Sequence, residues 1–431
     1  MVRFAGILQK RCAPGAKPLR RHLVSSIAML LAAIGVPGAP ARAGTHDLTA
    51  RLQRVLDSYV ADRGQAEAIS GVALQVDLGG GKPAIALFSG NNGLPDTKPI
   101  DSRTLFQIGS NTKHFTAALI LMLEAAGRLN IDQTVGDWLP QYPAWKQVTI
   151  RSLLNMTSPI PNYSETPEIG RLIAADIHHQ FTDQELIAAV DPGNGKSFPT
   201  PTGWFYSNTN NILAGLIIEA ASGMDYKTAL ETMILKPLHL RDTFYSNGEY
   251  PPRIEAREPR GLFENAGCLL YQPEPCTTST LAPLIGKDVH TQNMSWAGPA
   301  GAIVSNMNDL DLWIRALFGL KVFPQQQLDE MTSIVSHKTG LPIADVSAGD
   351  PAGFGLDLGR AYQDALGGAV WFYQGTTLGF RATFVYWPQY DLVMTTATNS
   401  QPPDGEDSLN KLVVGSAFTV LKESGALGTG N

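Results

Sequence analysis

Cysteine is scarce: the 431-residue chain has three, with no C-x-x-C pair among them. H-E-x-x-H is absent as well, and the adjacent His178-His179 would point two ways on a helix, so no metal site is expected and nothing calls for a cofactor. Positive charge is not in excess either. The formal net charge is -6, and no cluster of Lys and Arg occurs outside the N-terminus, which argues against a phosphate-binding surface and against nucleic acid as a partner. Gly79-Gly80-Gly81 is not followed by G-K-[ST], so it reads as the turn of a hairpin within SGVALQVDLGGGKPAIALFS, not as a phosphate loop. The apolar run LVSSIAMLLAAIGV, Leu23 to Val36, falls short of the ~20 residues of a spanning helix.

What the N-terminus does have is the pattern of an export leader. Arg11, Lys17, Arg20 and Arg21 precede that apolar run, and Ala41-Arg42-Ala43 supplies a small-x-small cleavage site. Residues 1–43 are therefore expected to be a signal peptide, leaving a periplasmic or secreted protein with no stable membrane span. Arg20-Arg21 also matches a twin-arginine signal weakly, so the export route stays open. Cys12 leaves with the leader. Cys268 and Cys276 flank LLYQPEP, whose two prolines could turn the chain back, and in an oxidising compartment a disulfide is expected, with two free buried thiols as the alternative.

The rest is rich in ordinary core material, 44% hydrophobic and 17% charged, as befits a well-buried globular protein. Phe115, Ala118, Leu119, Met122, Leu123 and Ala126 recur at helical spacing until Gly127, and a second helix is expected from Ser207 through Ala220 to Gly223. FRATFVYWP and DLVMTTATN read as two strands joined at Pro388 to Asp391. A helix is expected over Met307–Phe318 with Asn306 as its cap, and Leu409 to Leu421 mark a closing helix. Strands at both ends thus enclose a helical middle. The expected fold is α/β, an antiparallel sheet flanked by helices plus a mostly helical part. The α/β part would come from residues 44–109 and 296–431, the helical part from 110–245, and 246–295 would be an irregular excursion.

At the start of the first helix stands Ser110-Asn-Thr-Lys113. Taken alone, S-x-x-K is common: serine caps helices, and lysine tolerates any exposed face. The alternative is a nucleophile with its activating amine, since residues three apart on a helix share a face. Three other signals favour the second reading: Tyr206-Ser207-Asn208 opening a helix, LLNMTSPIPNY at 153–163, and Tyr373-Gln374-Gly375 opening a strand.

Together, in this order and spacing, these motifs resemble the penicillin-recognising serine hydrolases, in the branch of class C β-lactamases, D-alanyl-D-alanine carboxypeptidases and related esterases and D-aminopeptidases. The resemblance covers nearly the whole chain after the leader and implies a β-lactamase/transpeptidase-like fold. It also implies an acyl-enzyme on Ser110, with Lys113, Tyr206 and Asn208 as catalytic partners and Tyr206 as general base. An ammonium at Lys113 would then lower the Tyr206 pKa from ~10 toward working pH. The oxyanion donors implied are the backbone N–H groups of Ser110 and Thr376, with Gly375 letting substrate lie flat on the strand.

The chain departs from the family's pattern where Tyr373 replaces Lys or His and Gln374 replaces Thr or Ser. A neutral phenol cannot give a substrate carboxylate a countercharge, and Arg381 is the expected substitute, with an exposed strand position as the alternative. Met156 and Pro159, in place of His and Gly, are expected to shape a wall of the cleft. The expected function is D-alanyl-D-alanine carboxypeptidase-like hydrolysis of cell-wall peptides. A β-lactamase or small-ester esterase is the enzymatic alternative, and a silent peptidoglycan- or β-lactam-binding module is the non-enzymatic one. A D-alanyl peptide, β-lactam or ester is thus the partner expected.

Overall fold

The computed structural model describes residues 45–196, 200–264, 280–401 and 408–427. The expected leader over 1–43 and the expected Cys268–Cys276 pair lie outside the described residues.

Strands with apolar residues on both faces need cover on both sides, and that requirement organises the molecule. Among the described residues nine strands form one antiparallel sheet: β1 (Gly71–Asp77), β2 (Ile85–Gly90), β3 (Ile334–Ser336), β4 (Pro342–Ile343), β5 (Ala352–Phe354), β6 (Gly359–Gln363), β7 (Gly368–Thr376), β8 (Arg381–Trp387) and β9 (Leu392–Thr398). Their spatial order is β2-β1-β9-β8-β7-β6-β5-β3-β4. Because successive side chains point to opposite faces, Leu74, Val385 and Met394 meet α1 (Thr45–Arg63) and α5 (Gly415–Glu423), whereas Ala73, Phe384 and Ala397 face the main core. In that core lie α2 (Lys113–Ala125), α3 (Asn208–Ser222) and α4 (Met307–Phe318). Asn306 caps α4, accepting the Asp309 N–H at 2.8 Å.

The segment from 110 to 245 is mostly helical, and it ends in Phe244–Tyr245, which pairs with Ile303–Ser305. Within the excursion over 246–295, Leu262–Phe263 pairs antiparallel with Lys287–Asp288. No helix among the described residues is long and apolar enough to cross a membrane.

Arg381, at the start of β8, corrects one expectation. It is 1% exposed, and its guanidinium donates to Glu67 Oε2 at 2.7 Å and to the Ser400 carbonyl at 2.7 Å. Ser408 Oγ also donates to Glu67 Oε2, at 2.8 Å, so the pair ties the end of α1 to β8 and to the chain entering α5. Breaking such a buried pair from one side leaves a charge without its partner. Glu67→Leu should therefore cost about 3–5 kcal/mol in urea unfolding, and Glu67→Leu with Arg381→Met should recover most of the loss. A single variant as stable as the parent would show that the pair does not hold these elements together.

Candidate active site

The chain reaches Ser110 through a tight turn. Gly109–Thr112 form one 3-10 turn, and the α-helix proper begins only at Lys113, so Ser110 sits one turn ahead of α2 instead of at its first residue. This leaves Ser110 half-buried while Lys113, one turn deeper, is fully buried. The Lys113 amine makes three contacts with separate pieces of chain: Ser110 Oγ at 3.2 Å, Asn208 Oδ1 at 2.7 Å and the Ala300 carbonyl at 2.6 Å.

Tyr206 and Asn208 arrive on the approach to α3. Tyr206 Oη lies 2.6 Å from Ser110 Oγ. Asn208 is the first residue of α3, and it hands its side-chain carbonyl to Lys113 because its other groups are already engaged: its N–H donates to Asn162 Oδ1 at 3.0 Å and its Nδ2 to Ser164 Oγ at 2.9 Å. The LLNMTSPIPNY loop acts as a brace. Met156, with φ of 62°, accepts the Phe205 N–H on its carbonyl at 2.8 Å and takes the Ser207 N–H on its sulfur at 3.5 Å.

Strand β7 closes the other side, and its period of two sorts the four expected substrate-binding residues. Tyr373 and Gly375 face the site: Tyr373 is opposite Phe384, which meets His114 edge-on at 5.3 Å, and the Tyr373 hydroxyl is close enough to Tyr206 to favour its phenolate slightly. A Cβ on Gly375 would stand 1.8 Å from the Ile108 carbonyl, so only glycine permits this approach. Gln374 and Thr376 turn their side chains to the opposite face, where Asn410 donates to Gln374 at 3.4 Å and Arg381 pairs across from Thr376. Gln374 and Arg381 are thus not placed to bind substrate, contrary to expectation. The backbone of Thr376 does lie at the site, against Gly109.

Across residues 56–417 the sequence matches the family model for beta-lactamase. The chain belongs to the beta-lactamase family. Among curated relatives it is 36% identical over 165 residues to penicillin-binding protein 4* of Bacillus subtilis, covering 38% of this chain and 35% of that protein. It is 28% identical over 217 residues to esterase EstB of Burkholderia gladioli, covering 47% and 53%. The chain thus spans about a third to a half of the length of these relatives. Similar solved structures include a D-stereospecific amidohydrolase from Streptomyces sp. (27% identity, TM-score 0.68, 86% of this chain and 98% of the other). Another is the D-amino acid amidase of Ochrobactrum anthropi complexed with L-phenylalanine (25% identity, TM-score 0.70, 88% and 99%).

Burial, more than mutual attraction, sets the electrostatics of this beta-lactamase-family site. It pushes the Lys113 amine down to about 7, against the opposing pull of Asp357. It raises the Tyr206 phenol well above its ordinary value, an effect that Asp357 reinforces and that the Ser110 hydrogen bond and the nearby Tyr373 hydroxyl only partly offset. The expected lowering of Tyr206 by a neighbouring ammonium is therefore reversed: desolvation disfavours both charged forms, and a lysine near 7 is itself a weak source of positive charge.

Sequence reasoning missed Ala300 and Asp357. A backbone carbonyl leaves no trace in residue identity, although the glycines of GPAGAIV signal the close approach that brings it there. Asp357 is buried with φ of 51° and accepts from Asn211, one turn along α3 from Asn208, at 2.6 Å. Among the described residues, no group of three or more His, Cys, Asp and Glu is placed to hold a metal ion.

These directions fix a pH profile. As pH rises through about 7, the ammonium of Lys113 gives way to the free amine while Tyr206 remains a phenol, so kcat/KM for a neutral ester should climb through that point and then hold. Lys113→Arg, which cannot deprotonate, should lose about 10²–10⁴-fold together with the limb. Activity that instead falls above pH 7 would mean that the ammonium is the working form.

Proposed function

We propose that this protein is an acyl-transferring serine amidohydrolase or esterase, working through Ser110 on small acyl compounds with an uncharged leaving side. The observation that carries this reading is the Ser110–Lys113–Tyr206 cluster, in which one hydroxyl lies within 2.6 Å of a phenol and 3.2 Å of an amine. Ser110 Oγ attacks the substrate carbonyl, forming the C–O bond as its proton passes to the free amine of Lys113. The Tyr206 phenol, hydrogen-bonded to Ser110, relays a proton to the departing nitrogen or oxygen as the old bond breaks. Water then repeats the sequence on the ester and frees Ser110. The backbone N–H groups of Ser110 and Thr376 are our choice of oxyanion donors, supported by the contact between Gly109 and Thr376.

The leaving side is the point on which this reading departs from a carboxypeptidase. Tyr373 brings a neutral hydroxyl where a cation would meet a substrate carboxylate, and Arg381 is committed to Glu67 on the far face. The similarity to the amidohydrolase and amidase structures and to the esterase supports substrates that end in an amide or ester. We retain export as part of the reading, on the basic, apolar and small-x-small pattern of residues 1–43, and with it a Cys268–Cys276 disulfide.

Fluorophosphonate should label the parent protein at Ser110, and Ser110→Ala should lose both labelling and turnover; a Ser110→Ala protein that still turns over would sink the assignment. D-alanine amide or a p-nitrophenyl ester should be hydrolysed at least about tenfold better than D-alanyl-D-alanine, the discrimination of a missing charged hydrogen bond. Tyr373→His should narrow that gap. Efficient cleavage of penicillins by the parent enzyme would contradict the reading of Tyr373.

A further inference from the structure

A buried carboxyl outside the Ser110–Lys113–Tyr206 cluster carries more cost than its one side-chain hydrogen bond explains. Asp357 lies in the turn between β5 and β6, where the Gly355 N–H donates to the Leu358 carbonyl and the Asp357 N–H to the Leu154 carbonyl, both at 2.8 Å. It is 0% exposed, and its φ of 51° is a conformation that glycine or asparagine takes more readily. Asn211 Nδ2 donates to its Oδ2 at 2.6 Å, while Oδ1 is buried with no hydrogen-bond partner among the described residues. Backbone strain and a half-satisfied buried carboxyl both cost free energy. The bond to Asn211 does not account for them, because an asparagine at 357 would make it as well.

The place of Asp357 in the fold gives its charge a use. Asn211 stands one turn along α3 from Asn208, whose Oδ1 takes the Lys113 amine at 2.7 Å, so one face of α3 holds both the amine and the carboxyl. The three acceptors of Lys113 are neutral groups: the Ser110 hydroxyl, the Asn208 amide and the Ala300 carbonyl. We infer that Asp357 is the countercharge for the Lys113 ammonium that forms when Ser110 gives up its proton, a positioning residue that acts through the lysine. This rests on the hydrolase reading above and adds a group to its proton-transfer step. Asp357 favours the ammonium of Lys113 and Lys113 favours the carboxylate of Asp357, so the two charges reach each other through the interior. The other titratable groups around the amine supply no such charge. Tyr206, its ring 5.0 Å from the amine and beside Tyr373, is held as a phenol by burial, as is Tyr226, which Thr116 Oγ1 meets at 2.7 Å. Burial keeps His114 neutral, and its Nδ1 accepts from Trp313 Nε1 at 2.8 Å. Glu330, on the helix Gln325–Thr332, pairs with Arg151 at 3.6 Å. Glu165, on the turn that holds Asn208, is raised by burial to about 7 and is therefore a control in the test.

The test follows the rate of Ser110 labelling by a fluorophosphonate, and kcat/KM for a p-nitrophenyl ester, against pH. It compares the parent with Asp357→Asn, which keeps the shape, the bond to Asn211 and a tolerated φ. The midpoint of each profile is insensitive to the folded fraction. Without the carboxylate, desolvation of the amine is unopposed and the ammonium gives way at lower pH. The rising limb should therefore move down by about one unit, and the plateau should fall by up to about tenfold as the base weakens. Asp357→Gly, which adopts a φ of 51° freely, should move the limb the same way. Glu165→Gln should leave the midpoint in place. A purely structural Asp357 would lower the plateau alone. A midpoint that stays or rises in both Asp357 variants, or that moves with Glu165→Gln instead, overturns the inference and leaves the hydrolase reading standing. A parent labelled at Ser110 with no rising limb does the same, whereas a parent that is not labelled at Ser110 removes the hydrolase reading itself.

Discussion

A lysine with no exposed surface must find acceptors for its amine or give up its proton, and the arrangement of this molecule follows from how Lys113 does both. Its three partners come from three places in the chain: the turn before α2, the first residue of α3 and the carbonyl of Ala300. None of these lies close to another in sequence, so the amine can be satisfied only once α2, α3 and the Gly298–Gly301 turn have come together. The same enclosure that demands partners lowers the amine to about 7, the property that the proposed mechanism uses for a base near neutral pH. Thr116, a residue further round α2, repeats the theme by donating to the Pro299 carbonyl at 2.7 Å, so the helix and the Gly298–Gly301 turn are held at more than one point.

The sheet contributes through its alternation. One face of β7 and β8 presents Tyr373, Gly375 and Phe384 to the site, and the other presents Gln374, Thr376 and Arg381 to α1 and to the chain entering α5. The two faces do different jobs with adjacent residues. A strand that must press its backbone against the Ser110 turn, with Gly375 against Ile108, needs a stiff support behind it, and the Arg381–Glu67 pair lies on the opposite face. Thr377 extends this support sideways: its hydroxyl donates to Gln107 Oε1 at 3.0 Å, and Gln107 in turn donates to Glu258 at 2.9 Å.

Much of this was legible in the sequence where local pattern decides the outcome. The helical spacing from Phe115 to Ala126, the S-x-x-K and Y-x-N motifs and the alternation in FRATFVYWP each carry their own period, and the elements appear where the period puts them. Arg381 was misjudged because spacing along a strand says which residues share a face but not which face meets the ligand. The parity that puts Tyr373 in the site necessarily puts Gln374 and, through its pairing with Thr376, Arg381 outside it. The direction of the Tyr206 shift was misjudged for a different reason: a sequence shows that a lysine is near in principle, whereas burial depends on everything packed around it. Asp357 carries no motif at all, and only the contact with Asn211 reveals it.

The neutral residue at 373 and the protonated phenol at 206 are two sides of one condition. A cation at position 373, beside Tyr206 as Tyr373 is, would favour phenolate and draw the tyrosine toward the role of base. It would also repel a proton from Lys113 and so leave the lysine mostly as amine, unable to hold the charge that passes to it during attack. With a phenol there instead, Tyr206 keeps its proton as something to give, and Lys113 keeps the capacity to take one. In the proposed mechanism the division of labour between base and relay is thus set by burial, and the uncharged side chain at 373 leaves it undisturbed. In the proposed function that same side chain offers no countercharge to an anionic substrate, so mechanism and specificity meet at one position.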